Sequence, residues 1–186
     1  LGCVVSPETG GADSSVTNGV ISGTDYVTAS KNKAGSYHII DLGKEYNADS
    51  IENIVVWYRS AIGGTWPENG GCRIEYSRYD TEYTTVSEMT QEEFNAQRTS
   101  QEGAPFSIVS DVSDAASKMP VVRYVRVYYP NAVAYGAQVT EIGVFDVDGD
   151  ATIAEPETNL PEEAANVEVV SEDYNTITVT LSLIHI

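Results

Sequence analysis

The chain has 186 residues, with 28 Asp and Glu against 10 Lys and Arg, for a formal net charge of −18. Such a surface repels nucleic-acid phosphates and anionic lipid headgroups, which argues against both as partners. No apolar run approaches the roughly 20 residues needed to cross a bilayer, so direct membrane insertion is not expected, and the length suits one well-cored domain with additional material.

The chain opens in mid-pattern at Leu1, without a starting Met, and reads as a piece of a longer protein. Leu1-Gly2-Cys3 is similar to the end of a bacterial lipoprotein signal, but no apolar stretch precedes it. The two cysteines, Cys3 and Cys72, are too few for a disulfide framework or a four-ligand zinc site. They read either as one bridge or as two buried thiols.

Strand signals dominate the chain from Tyr37 to Val147. Segments Tyr37–Gly43, Ile51–Tyr58, Cys72–Ser77, Phe106–Val112, Val121–Tyr129 and Thr140–Val147 are rich in β-branched and aromatic residues, and Gly, Pro, Asn or Asp bound most of them. Along Val121–Tyr129, Val121, Arg123, Val125 and Val127 alternate with Val122, Tyr124, Arg126 and Tyr128. A mostly apolar face against a mixed one suits a sandwich strand with one face buried. Between the second and third strands lies a Gly-rich loop, Arg59–Gly71, with Trp66 expected at its exposed tip. Thr90–Arg98 breaks the strand rhythm: Thr90-x-x-Glu93 is a capping box, with acid in the first turn and Arg98 in the last. It predicts one short surface helix inserted between strands.

The strand-rich domain is expected to span 1–150. After Arg126 the chain has no Lys or Arg, and residues 151–164, with Pro156 and Pro161, read as an acidic linker. Residues 165–180 carry two alternating strands around Ser171–Asn175 and resemble the truncated start of a fibronectin type III domain. Residues 181–186, Leu-Ser-Leu-Ile-His-Ile, are similar to the translation of a DNA-library adapter and read as a sequencing scar.

Taken in order from Leu1 to Phe145, several motifs carry a larger resemblance. Leu1–Ser6 looks like the opening strand of discoidin (F5/8 type C) domains. Val16–Tyr26 is similar to their Asp-Gly…Thr-x-Trp loop, Tyr37–Gly43 to their aromatic-x-x-x-Asp-Leu-Gly strand, and Arg123–Tyr129 with Val139–Phe145 to their closing pair. The resemblance implies an all-β, discoidin-like jelly-roll β-sandwich. It implies a non-catalytic module that holds glycans or glycoconjugates through loops at one end, in an extracellular or cell-surface protein. Such modules are tethered to catalytic or other binding domains. It also implies a structural Ca²⁺ site at Asn18, Thr24, Asp25 and Glu141, all hard oxygen donors. Two departures stand out: Asn18 replaces the family's Asp, a neutral ligand for a charged one, and Tyr26 replaces its Trp.

The candidate ligand residues are Trp66, Arg59, Tyr26, Tyr135 and His38. An indole offers a flat apolar platform to the CH face of a sugar ring, and Tyr26 and Tyr135 offer a ring with a hydroxyl. Arg59 offers a planar donor fork. The plainer alternatives are that Trp66 folds back as a satellite core and that His38 is simply packed within its strand. Asp146–Asp150 begins like a calcium-binding helix-loop-helix motif, with Glu157 at its twelfth position. A strand precedes it, and Ala151 stands where Gly is needed, so it reads as an acidic connector. No G-x-S-x-G, HExxH or phosphate-loop motif is present. Three functions therefore stand: a glycan-binding module, a protein- or matrix-adhesion module, and a small glycosidase.

Overall fold

The computed structural model describes residues 4–7, 15–17, 19, 25–59, 65–67, 69–97, 105–107, 112–146, 167–173 and 176–181. The chain divides into two compact units, Leu1–Ala154 and Glu155–Ile186.

The first unit is a sandwich of two antiparallel sheets. One sheet orders its strands β1 (Val4–Pro7), β3 (Ser36–Asn47), β8 (Val121–Tyr129), β5 (Cys72–Ser77) and β6 (Thr84–Met89). The other orders them β2 (Val27–Thr28), β9 (Gln138–Asp146), β4 (Ile51–Tyr58) and β7 (Pro105–Ser107). Most sequence neighbours thus alternate between sheets, the jelly-roll habit.

The core follows from strand periodicity. In β8, Val125, Val127 and Tyr129 are buried, as are Ile54, Val56 and Tyr58 in β4, and Ile74 and Tyr76 in β5. These side chains form one cluster with Ile40, Val139 and Ile142. The alternation in β8 changes phase at its start, where Val122 is buried and Arg123 is not. There β3 carries an irregularity between Asp41 and Tyr46, and a bulge of that kind re-aims side chains.

The helix α1 (Gln91–Gln97) forms where the capping box predicts it. The Glu93 N–H donates to Thr90 Oγ1 at 3.2 Å, and the Thr90 N–H donates to Glu93 Oε2 at 2.8 Å. Its Phe94 is fully buried and meets Tyr58 edge-on at 5.9 Å, so α1 is anchored rather than merely superficial. Arg98 lies outside the described residues.

Two expectations need correction. The strand predicted over Phe106–Val112 survives only as β7, and Val112 opens a second helix, α2 (Val112–Lys118), so two helices stand where the sequence predicts one. Helix formers explain it: Ala115 and Ala116 occupy its centre, and Lys118 pairs with Asp114 one turn earlier at 2.7 Å. Strands β2 and β6 are further additions, with no counterpart among the predicted elements.

The second unit contains an antiparallel pair, β10 (Val167–Asp173) and β11 (Thr176–Leu181), with an irregularity between Ser171 and Asp173. Residues 182–186 lie outside the described residues. None of the described helices is long and apolar enough to cross a membrane.

Candidate functional site

Antiparallel pairing brings three connections to one end of the sandwich: residues 29–35 after β2, the described residues 59, 65–67 and 69–71 after β4, and 130–137 after β8. Backbone hydrogen bonds lace them together. Ala29 N–H donates to Ala137 O at 2.9 Å, Asn32 N–H to Val133 O at 2.9 Å, and Gln138 N–H to Thr65 O at 2.9 Å. The approach is close enough to need glycine at Gly136, where φ is +79° and a Cβ would lie 2.1 Å from the Ala29 carbonyl oxygen; at Gly71, with φ +68°, a Cβ would lie 1.7 Å from the Met89 carbonyl oxygen at the end of β6.

Arg59 is the most constrained polar group at this end. Its N–H donates to Gln138 O at 2.8 Å, and its carbonyl accepts the Thr65 hydroxyl. Its guanidinium lies 4.3 Å from the Tyr26 ring centroid, and Nη1 donates to Gln138 Oε1 at 3.2 Å. The Arg59 Nε is buried and has no hydrogen-bond acceptor among the described residues. A guanidinium held over a ring, with donors to spare, is a prepared acceptor-binding fork.

The candidates divide accordingly. Arg59 and Tyr26 are brought into contact. Tyr135, on the adjoining 130–137 connection, is 54% exposed. Trp66 is not at an exposed tip: it is 5% exposed and belongs to the core cluster. The bonds from Thr65 to Gln138 and Arg59 fold that part of the loop back, and the indole goes inward. His38 is likewise fully buried. Its Nδ1 meets the Tyr129 hydroxyl at 3.0 Å, and the rings stand edge to face, so it is a core residue rather than a surface contact.

Of the proposed metal ligands, Glu141 is buried, and its Oε1 accepts the Gly19 N–H at 3.1 Å, which ties β9 to the loop that carries the others. Asp25 is exposed. Asn18 and Thr24 lie outside the described residues. Among the described residues no three His, Cys, Asp or Glu side chains gather as a metal site. Of the acidic connector, Asp146 closes β9, and 147–150 and Glu157 lie outside the described residues.

Cys72 is a free, buried thiol, so of a bridge and an unbridged thiol it takes the second. Burial pushes its pKa up to about 12, against a smaller opposing effect from the Tyr58 hydroxyl. On the outer face of the five-stranded sheet, arginines and carboxylates pair. Arg123 grips Asp41 at 2.9 and 3.0 Å, which, with the Gly43 N–H, holds that carboxyl below the usual carboxylate range. Gln138 and Thr65 are not singled out by sequence, since neither residue type signals a site and both act through partners far along the chain.

No family model matches the chain, and neither does any curated protein. Solved structures do. A CBM32 module from Clostridium perfringens in complex with GalNAc-β-1,3-galactose superposes with a TM-score of 0.53 at 12% identity, covering 77% of this chain and 95% of that one. A variant of the lectin-binding domain of lectinolysin complexed with Lewis b gives 0.55 at 15% identity, covering 78% and 92%. CBM32-1 from a family 31 glycoside hydrolase of C. perfringens gives 0.50 at 16%, covering 72% and 83%. At such identities the likeness is one of fold: the discoidin-like jelly roll expected from the motifs is the fold the chain adopts.

Proposed function

We propose that this chain is a non-catalytic carbohydrate-binding module of a larger secreted or surface protein, taking glycans at the 29–35, 59–71 and 130–137 end of the sandwich. The observation that carries this is the Arg59 guanidinium, fixed between Tyr26 and Gln138 with its Nε unused. Tyr135 supplies the exposed ring, and Trp66 supports the loop from below rather than stacking on a sugar. The fold is shared with modules whose structures hold GalNAc-β-1,3-galactose and Lewis b, which supports the same ligand class here.

A shallow site of one or two sugar rings binds in the range of roughly 10 μM to 1 mM, so neighbouring modules would add avidity. The test is a broad glycan array, then titration of the best hit. Tyr135→Ala, at an exposed position, should weaken binding by about tenfold with its melting temperature unchanged. A wild-type chain that binds no glycan on the array would favour the adhesion reading instead.

We further propose Ca²⁺ as a structural ion. Glu141 reaches the loop of Asn18, Thr24 and Asp25, and the donors are oxygens only, which suits a hard cation. Ca²⁺ added after chelation should raise the melting temperature by mass action on the folded state. An unchanged melt would mean that Asn18, in place of a charged Asp, leaves the loop without useful affinity.

A further inference from the structure

The cations of this chain are unevenly employed. Among the described residues, Arg73 pairs with Glu88 at 2.7 Å, Arg78 with Glu45 at 3.0 Å, Lys118 with Asp114 at 2.7 Å, Arg123 with Asp41 at 2.9 Å, and Arg126 with Glu75. Lys44 lies 5.2 Å from the Tyr46 ring centroid. The remaining described cations are Lys31, Lys33 and Arg59. None of the ion pairs among the described residues includes them, and all three belong to the loop end. Lys31 and Lys33 are exposed and flank Asn32, whose N–H binds Val133 O at 2.9 Å. They therefore stand on the connection laced to the one that carries Tyr135.

With 28 acids to 10 bases, carboxylates are in surplus for every cation. Five of the described cations took one. Of the four that did not, Lys44 lies within β3 and the other three are gathered where the fold presents its loops, against the sign of the whole molecule's field. Arg59 adds an independent mark, because its buried Nε lacks an acceptor among the described residues. A buried donor is stabilised by an acceptor brought to it, and a guanidinium fork matches a planar or tetrahedral oxyanion with two parallel hydrogen bonds.

We infer that the glycan taken at the loop end carries an anionic group, the carboxylate of a uronic or sialic acid or a sulfate ester, held by Arg59 with Lys31 and Lys33. This rests on the proposed glycan binding at that end. Arg59 supplies orientation, and the two flexible ammonium groups supply charge without fixed geometry.

The test is calorimetric titration at fixed ionic strength with matched sugars: galactose against galacturonic acid, galactose against galactose 6-sulfate, and lactose against sialyl-lactose. The acidic member of at least one pair should bind about tenfold tighter, the factor expected of a charge-assisted contact. Whether the carboxylate or the sulfate pairs show it identifies the group. In a Lys31→Gln/Lys33→Gln chain the acidic-to-neutral ratio should fall toward one, while Lys44→Gln, removing a charge elsewhere, should leave it unchanged. Equal binding of acidic and neutral sugars overturns the anionic inference and leaves glycan binding standing. A preference undiminished by the double substitution, or diminished equally by Lys44→Gln, also overturns it. Binding of no sugar overturns both.

Discussion

A line of polar groups threads the core between the sheets. His38 Nδ1 meets the Tyr129 hydroxyl at 3.0 Å, the Tyr58 hydroxyl donates to Tyr129 at 3.4 Å, and Tyr58 in turn hydrogen-bonds Cys72. Burial raises both the Cys72 thiol and the Tyr58 hydroxyl, the latter further because Tyr129 and Cys72 are close by. A group whose folded value lies above its unfolded one stabilises fully below the unfolded value and less as pH rises. For Cys72 that window opens at 9.0 and runs to about 12. Stability should therefore be level at neutral pH and decline from about pH 9 upward, as pH-dependent urea denaturation would show. At about pH 8 the thiol should also be inert, since the thiolate is the reactive form and is excluded by burial. In a Cys3→Ser background, iodoacetamide should leave the native chain unmodified and label it promptly in denaturant; prompt native labelling would show that this part of the core opens. None of this line was legible in sequence, because alternation marks Tyr58 and Cys72 as strand residues without saying that they face each other. Trp66 and Tyr26 teach the same lesson: burial of one and contact of the other with Arg59 involve Gln138, far along the chain.

At the scale of elements, local chemistry and long-range pairing part company. Strands Ile51–Tyr58, Cys72–Ser77 and Val121–Tyr129 stand where β-branched and aromatic runs placed them, and α1 starts at its capping box. These signals lie within a few residues of what they specify. The apolar run at Phe106–Val112 misled because Val112 heads a helix whose propensity lies in the following Ala115, Ala116 and Lys118. β6 escaped because Thr84–Met89 has no strict alternation, and its strand state comes from pairing with β5. The junction after the Gly-rich loop tests how tightly that pairing constrains the backbone. Gly43 and Gly71 both have φ near the left-handed region, +80° and +68°, but a Cβ meets nothing within 4 Å at Gly43 and a backbone oxygen at 1.7 Å at Gly71. Gly43→Ala should cost about 1 kcal/mol, the conformational term alone. Gly71→Ala should cost at least about 2 kcal/mol, because the Met89 carbonyl must move as well. Urea denaturation of both separates the two effects; equal losses would show that the β5 entry yields freely.

At the scale of the whole molecule, the question is which part of the chain the sandwich needs. Among the described residues, the core cluster runs from Val16 to Ile142. The chain's compact units divide after Ala154, and β10 and β11 form a sheet of their own. A two-stranded pair alone is marginal in water, because it has no second layer to bury its apolar face. The stretch between is acidic and lacks any Lys or Arg, and it supplies part of the molecule's net charge of −18. A chain ending at Ala154 should therefore melt within about 2 °C of the full chain, a shift that at this size corresponds to about 1 kcal/mol or less. It should also bind the same glycans with the same affinity, since the proposed site lies wholly between Tyr26 and Gln138. A melting temperature lower by more than about 5 °C would mean that residues after Ala154 stabilise the sandwich by roughly 1 kcal/mol or more. Glycan affinity lost without such a shift would mean instead that they take part in the site.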